Sequence, residues 1–210
     1  MDPIPEAFIA RKSNRPALVA KYVIAPIRRF QCLPGNPVGG LYRAIYDIAY
    51  QFTAQQKFGA NPKPFTFYTG QPSGDDFLAL TKKTLPPLQT WEVFPGGSGA
   101  GIGGTTGAST AVHPFNAQLL QALNLFFMKY ECDPLQPSGR VYTLINANPA
   151  MPQHSGAATL NTVLTKYRET TTSLVAAMTL AFGTRPVRPL TFDLLHDELL
   201  AKGITPVAFQ

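Results

Sequence analysis

The 210-residue sequence predicts an all-α fold with an extended N-terminal arm and long loops, and three observations carry that expectation. Apolar residues recur at helical spacing over 38–56, a wide apolar stripe follows Pro114, and a long helical segment spans 157–182. The expected organisation is an arm at 1–37, a helical core at 38–184 and a C-terminal extension with a short helix at 185–210.

Taken in order, residues 1–37 hold six prolines between short apolar pieces, which suits an extended arm laid on another surface. The first helix is placed on Leu41, Ile45, Ile48, Ala49 and Phe52, between Gly39-Gly40 and Gly59. Asp75 and Asp76 then cap a second helix that runs to about Leu85 and stops at Pro86-Pro87. Residues 91–94 alternate as a short strand would, and the glycine-rich run 95–107 reads as a mobile loop. That run lacks the Lys-Ser or Lys-Thr of a phosphate-binding loop, so nucleotide binding is not expected there. His113-Pro114 opens a third helix carrying Phe115, Leu119, Leu120, Leu123, Phe126 and Phe127 as far as Tyr130. Residues 133–158 form a long connection in which 140–145 is briefly extended. The fourth and longest helix covers 157–182 and ends at Gly183, and a shorter one covers 191–201.

Composition narrows the function. Hydrophobic residues make up 45% of the chain and charged ones only 14%, below the roughly 25% usual in globular proteins, so a partner is expected to cover part of the surface. The net charge is +6, and the first thirty residues hold Arg11, Lys12, Arg15, Lys21, Arg28 and Arg29 against Asp2 and Glu6, which points to an anionic partner. Cys32 and Cys132 read as small buried hydrophobes, not as a disulfide or a metal pair. No apolar run approaches the roughly 20 residues that cross a bilayer, and the N-terminus lacks a signal pattern, so a soluble protein without a membrane partner is expected.

Catalysis and cofactors are not expected. His113, His154 and His196 stand apart without metal-ligand spacing and suit capping or surface roles. His196-Asp197-Glu198 would diverge by about 100° per residue on a helix and reads as a solvated face. No serine sits in a Gly-x-Ser-x-Gly elbow. Candidate phosphate contacts are Arg140 in the long connection, with Lys166, Arg168, Thr170, Thr171 and Thr172 in the fourth helix. The alternative for Arg168-Glu169 is a local ion pair.

In its order of landmarks the chain resembles the coat proteins of rod-shaped, helical plant RNA viruses of the tobacco mosaic virus (virgavirus) type. The likeness rests on Phe52-Thr53-Ala54-Gln55-Gln56, Trp91 leading to Phe94-Pro95, Ala111-Val112-His113-Pro114, Arg140 through Ala147-Asn148-Pro149, Thr159-Leu160, Arg168-Glu169 and Gly183-Thr184. It implies an antiparallel four-helix bundle polymerising around single-stranded RNA, with Arg140 matching a phosphate-contacting arginine. Arg168-Glu169 falls where that family has two acids beside the RNA, so Arg168 is a departure. Further departures are some 18 extra residues near 57–74, the longer glycine-rich run and the longer arm. Positions matching the family's repelling subunit-contact carboxylates are His113, Thr143 and Asn161, and the nearest substitutes are Glu131 and Asp133.

The expected function is thus a non-enzymatic, self-assembling capsid protein, located in the virion and in host cytoplasm during assembly, that binds RNA phosphates without reading sequence. The alternatives are a phage or other viral capsid or tail subunit contacting only protein, and an accessory subunit of a large cellular complex.

Overall fold

Extended backbone, not helix, occupies most of 38–56. The computed structural model describes residues 14–58, 63–84, 88–89, 112–130, 132–184, 187 and 189–209. In chain order its elements are α1 (Arg15–Lys21), β1 (Tyr22–Gln31), β2 (Val38–Gly39), β3 (Ala44–Ile45), β4 (Ile48–Gln56), β5 (Phe65–Gly70), α2 (Gln71–Thr81), β6 (Leu88–Gln89), α3 (Pro114–Lys129), α4 (Pro137–Ala147), α5 (His154–Lys166), α6 (Thr171–Phe182) and α7 (Asp193–Ala201). The expectation of an all-α four-helix bundle is therefore corrected: seven helices and a mixed four-stranded sheet make an α/β fold among the described residues. The chain divides into two units, Met1–Thr90 and Trp91–Gln210.

In the first unit the sheet order is β5-β4-β1-β6, with β1 antiparallel to β4, β4 antiparallel to β5, and β1 parallel to β6. The segment read as an arm supplies β1, an inner strand. Its Pro26 adjoins a register shift against β4, one of the few places an inner strand accepts a proline. Strand β4 looked helical because it is covered on both faces. Tyr50, Phe52 and Ala54 join one core cluster, while Ala49 joins a second with Phe30, Cys32 and Ile45, so burial is nearly continuous and the two-residue alternation disappears. Phe52 pairs in register with Phe67, stacks on it at 5.4 Å, and meets Phe77 of α2 at 5.7 Å. Burial of such rings contributes about 2–3 kcal/mol each. Helix α2 begins at Gln71, earlier than expected, with Pro72 in its first turn. Asp75 and Asp76 lie within it and do not cap it; Asp75 accepts from the Tyr50 hydroxyl at 2.9 Å and Asp76 pairs with Arg15. Gly74 lets α2 approach closely, since a Cβ there would lie 2.5 Å from the Tyr50 ring.

The second unit is helical. Helix α3 runs where its apolar stripe placed it and is buried on most of its surface. Its Asn116 donates to the carbonyls of Pro149 and Met151 and accepts from Gln153 N–H, fastening the α4–α5 connection. Residues 140–145, expected to be extended, belong to α4, whose Val141, Tyr142 and Ile145 are buried. Its β-branched residues weaken helix propensity, and packing against α3 and α5 overrides that. The predicted long helix at 157–182 is two helices, α5 and α6, with a turn between them. The C-terminal tail docks on them: Asn161 donates to Thr205 O and accepts from Ala208 N–H, and Thr171 N–H donates to Ala208 O at 2.8 Å. The predicted strand 91–94 and the glycine-rich run 95–107 lie outside the described residues.

Candidate functional site

The α5–α6 turn, Lys166-Tyr167-Arg168-Glu169-Thr170, gathers three of the predicted phosphate contacts, Lys166, Arg168 and Thr170. Helix α5 closes in a Schellman motif, in which Arg168 N–H donates to Thr165 O at 3.0 Å and Glu169 N–H donates to Leu164 O at 2.9 Å. The position that must turn left-handed in this motif is ordinarily glycine, yet here it is Arg168, with φ 57°. Helix α6 then starts in a capping box: Thr170 accepts from Ser173 N–H at 3.0 Å, and the Ser173 hydroxyl accepts from Thr170 N–H at 2.9 Å.

Glu169 pins this turn to α3. Its side chain is buried, 8% exposed, and its carboxylate accepts from Lys129 Nζ, from the Tyr130 hydroxyl at 2.8 Å and from the Ser173 hydroxyl at 2.8 Å. Burial pushes the Glu169 carboxyl up, but the hydrogen bonds from Lys129, Ser173 and Tyr130 outweigh it and hold the group below the usual carboxylate range. The hydrogen bond to Glu169 is the main cause that raises the Lys129 ammonium above its ordinary value. Burial, then the bond to Glu169, raises the Tyr130 phenol.

Three rings sit beside this carboxylate. Phe126 stacks on Tyr130 at 4.7 Å, Tyr167 meets Tyr130 at 4.5 Å and Phe126 at 5.2 Å, and Lys129 Nζ lies 5.7 Å from the Tyr130 ring centre. Phe126 is buried, whereas Tyr167 keeps 46% of its surface exposed, between exposed Lys166 and exposed Arg168. Among the described residues no ion pair engages Lys166, Arg168 or Arg140.

The other predicted residues are placed differently. Arg140 is exposed in the first turn of α4, and no contact joins it to the α5–α6 turn among the described residues. Thr170 accepts as the α6 cap and is half-buried, and Thr171 is buried, its N–H donating to the C-terminal tail at Ala208 O. Thr172 is exposed on α6. Asp133 accepts from Leu135 N–H at 2.9 Å in a local turn, and Glu131 lies outside the described residues. His113 caps α3 by accepting from Phe115 N–H at 3.2 Å. Glu198 does more than face solvent, since it meets His154 at 2.9 Å and Lys202 at 2.7 Å. Arg168 and Glu169 do not pair with each other; Glu169 is bound by α3 instead.

Two of the arm's cations are internal and Lys21 is exposed. Arg15 pairs with Asp76 and donates to Ser73, and Arg28, 3% exposed, donates to Gln51 at 2.7 Å across the β1–β4 pair. Arg11 and Lys12 lie outside the described residues. Sequence reading missed Lys129, Tyr130, Tyr167 and Ser173. The available signal was Thr170-x-x-Ser173, hydroxyls spaced as a helix start inside a segment read as continuous helix.

Among the described residues no helix is long and apolar enough to cross a membrane, and no group of three metal-ligating side chains converges. Comparison of the chain with protein-family models, with curated proteins and with solved structures yields no match.

Proposed function

We propose that the chain is a non-catalytic coat subunit that assembles with copies of itself around single-stranded RNA and holds RNA phosphates without reading sequence. One observation carries the reading: Arg168 stands exposed, and among the described residues without an ion pair, at a backbone position where glycine would be less strained. A cation kept in a left-handed conformation at a cost of about 1 kcal/mol calls for a return outside the fold, and an anionic polymer supplies one. Lys166 and Arg140 add exposed charge of the same sign. Self-association draws support from α6, which has no charged side chain and exposes Ala176, Thr179 and Leu180, the last at 85%.

That same face of α6 favours the second reading, a capsid or tail subunit that contacts only protein. Electron microscopy of the purified chain at low salt, with and without single-stranded RNA, separates the two. Particles whose length tracks the RNA are expected; particles of one size without bound RNA would favour the second. In the same assay, combined Arg140→Ala and Arg168→Ala should weaken packaging equally for unrelated sequences. The slope of log affinity against log salt should fall by about 0.7 for each phosphate contact removed.

A further inference from the structure

We infer that Tyr167, braced by Tyr130 and Phe126, is a stacking platform for an unpaired nucleobase, with Lys166 and Arg168 holding the phosphates on either side. This rests on the RNA-binding reading above and adds the base to it. The ring of Tyr167 contacts two other rings at 4.5 and 5.2 Å and still presents nearly half its surface to solvent. Its support is rigid, because Phe126 is in the core of α3 and the Tyr130 hydroxyl is fixed by Glu169. A braced aromatic loses little freedom on binding.

Charge around the ring suits a nucleotide. Among the described residues the one carboxylate in contact with the cluster, Glu169, is buried and matched by Lys129, so it does not oppose a phosphate approaching Lys166 or Arg168. Every base has a π-face, so stacking adds affinity without sequence preference. Bases inside an A-form duplex are stacked on both sides and cannot reach such a ring, so the platform selects single strands. Glu169 acts here as a positioning residue: it touches no ligand and holds Tyr130 beneath Tyr167.

The test measures affinity of the full chain for two unrelated single-stranded RNA 12-mers and for a duplex RNA of equal length, over a range of salt. Tyr167→Ala should weaken both single strands about tenfold and leave the duplex and the salt slope unchanged. Tyr167→Phe should bind as the original chain does. Tyr167→Leu, which keeps apolar packing on Phe126 and Tyr130 if the alanine variant unfolds, should show the same loss as alanine. Arg168→Gly should instead lower the salt slope and weaken single strands and duplex alike. Single-strand affinity unchanged in both the alanine and leucine variants, or an equal loss on the duplex, overturns the platform while leaving RNA binding in place. A chain that binds neither RNA overturns the RNA-binding reading and the platform together.

Discussion

Two arginines of each unit make a contrast. In Met1–Thr90, Arg15 and Arg28 are drawn inside, each bonded to side chains from another element: Arg15 to Ser73 and Asp76, Arg28 to Gln51. Arg28 also lies 4.1 Å from the Phe30 ring centre. In Trp91–Gln210, Arg140 and Arg168 are held outside, and no ion pair engages them among the described residues. A buried guanidinium that loses its partner is left desolvated and uncompensated, so the first kind belongs to the architecture. The second kind contributes little to the fold and remains open to an external anion. Counting cations along the chain pointed to the first thirty residues as the anion-binding part, yet two of the cations counted there, Arg15 and Arg28, are buried.

Removing a partner in the first unit should therefore have the largest effect on stability. Asp76→Ala should cost about 3 kcal/mol, read from denaturant unfolding, because Arg15 remains buried beside Tyr42 and Phe77 after losing its carboxylate, with the Ser73 hydroxyl as its remaining partner among the described residues. A change below about 0.5 kcal/mol would erase the contrast between the two units.

Glu169 is the point where the second unit resembles the first. Glu169→Gln should cost about 2 kcal/mol, since three donors face a weaker acceptor. Its carboxyl titrates below the ordinary value of 4.5, so its stabilisation is complete above that pH and is lost as pH falls through the lower folded value. Unfolding midpoints followed from neutral to acid pH should show a fall that the Gln variant flattens; parallel curves would show that Glu169 does not contribute to acid stability.

The smallest effect should have the opposite sign. Arg168→Gly relieves the left-handed backbone and should raise stability by about 1 kcal/mol or less in thermal unfolding, while RNA affinity falls. A loss of stability would place Arg168 with the structural arginines of the first unit.

Helix α3 was legible because its stripe is amphipathic and its ends carry local signals, His113-Pro114 and Tyr130. Strand β4 was not, because coverage on both faces removes the alternation that marks a strand, and five apolar residues then match a helix by spacing alone. Strand β5, Phe65-Thr66-Phe67-Tyr68-Thr69-Gly70, did carry a readable signal in its β-branched and aromatic residues, but Pro and Gly nearby made it look like a loop. The α5–α6 break depended on an arginine turning left-handed, a conformation that residue type disfavours. Lys166 and Arg168 were identified as candidate cations by type; Tyr167 and Tyr130 were missed, since residues 37 positions apart meet only through the packing of α3 against the turn.

By itself the sequence determined the local features: the extent of α3, the hydroxyl cap at Thr170, the end of α6 at Gly183 and the low charge that leaves α6 uncharged. These follow from short-range steric and hydrogen-bonding preferences, which neighbouring residues settle among themselves. Tertiary structure alone decided which arginines are internal, which apolar run pairs as a strand, and that a buried glutamate should anchor an exposed turn. Those outcomes depend on desolvation and on partners distant in the chain, and a charge or a ring acquires its role only when the fold has placed it beside them.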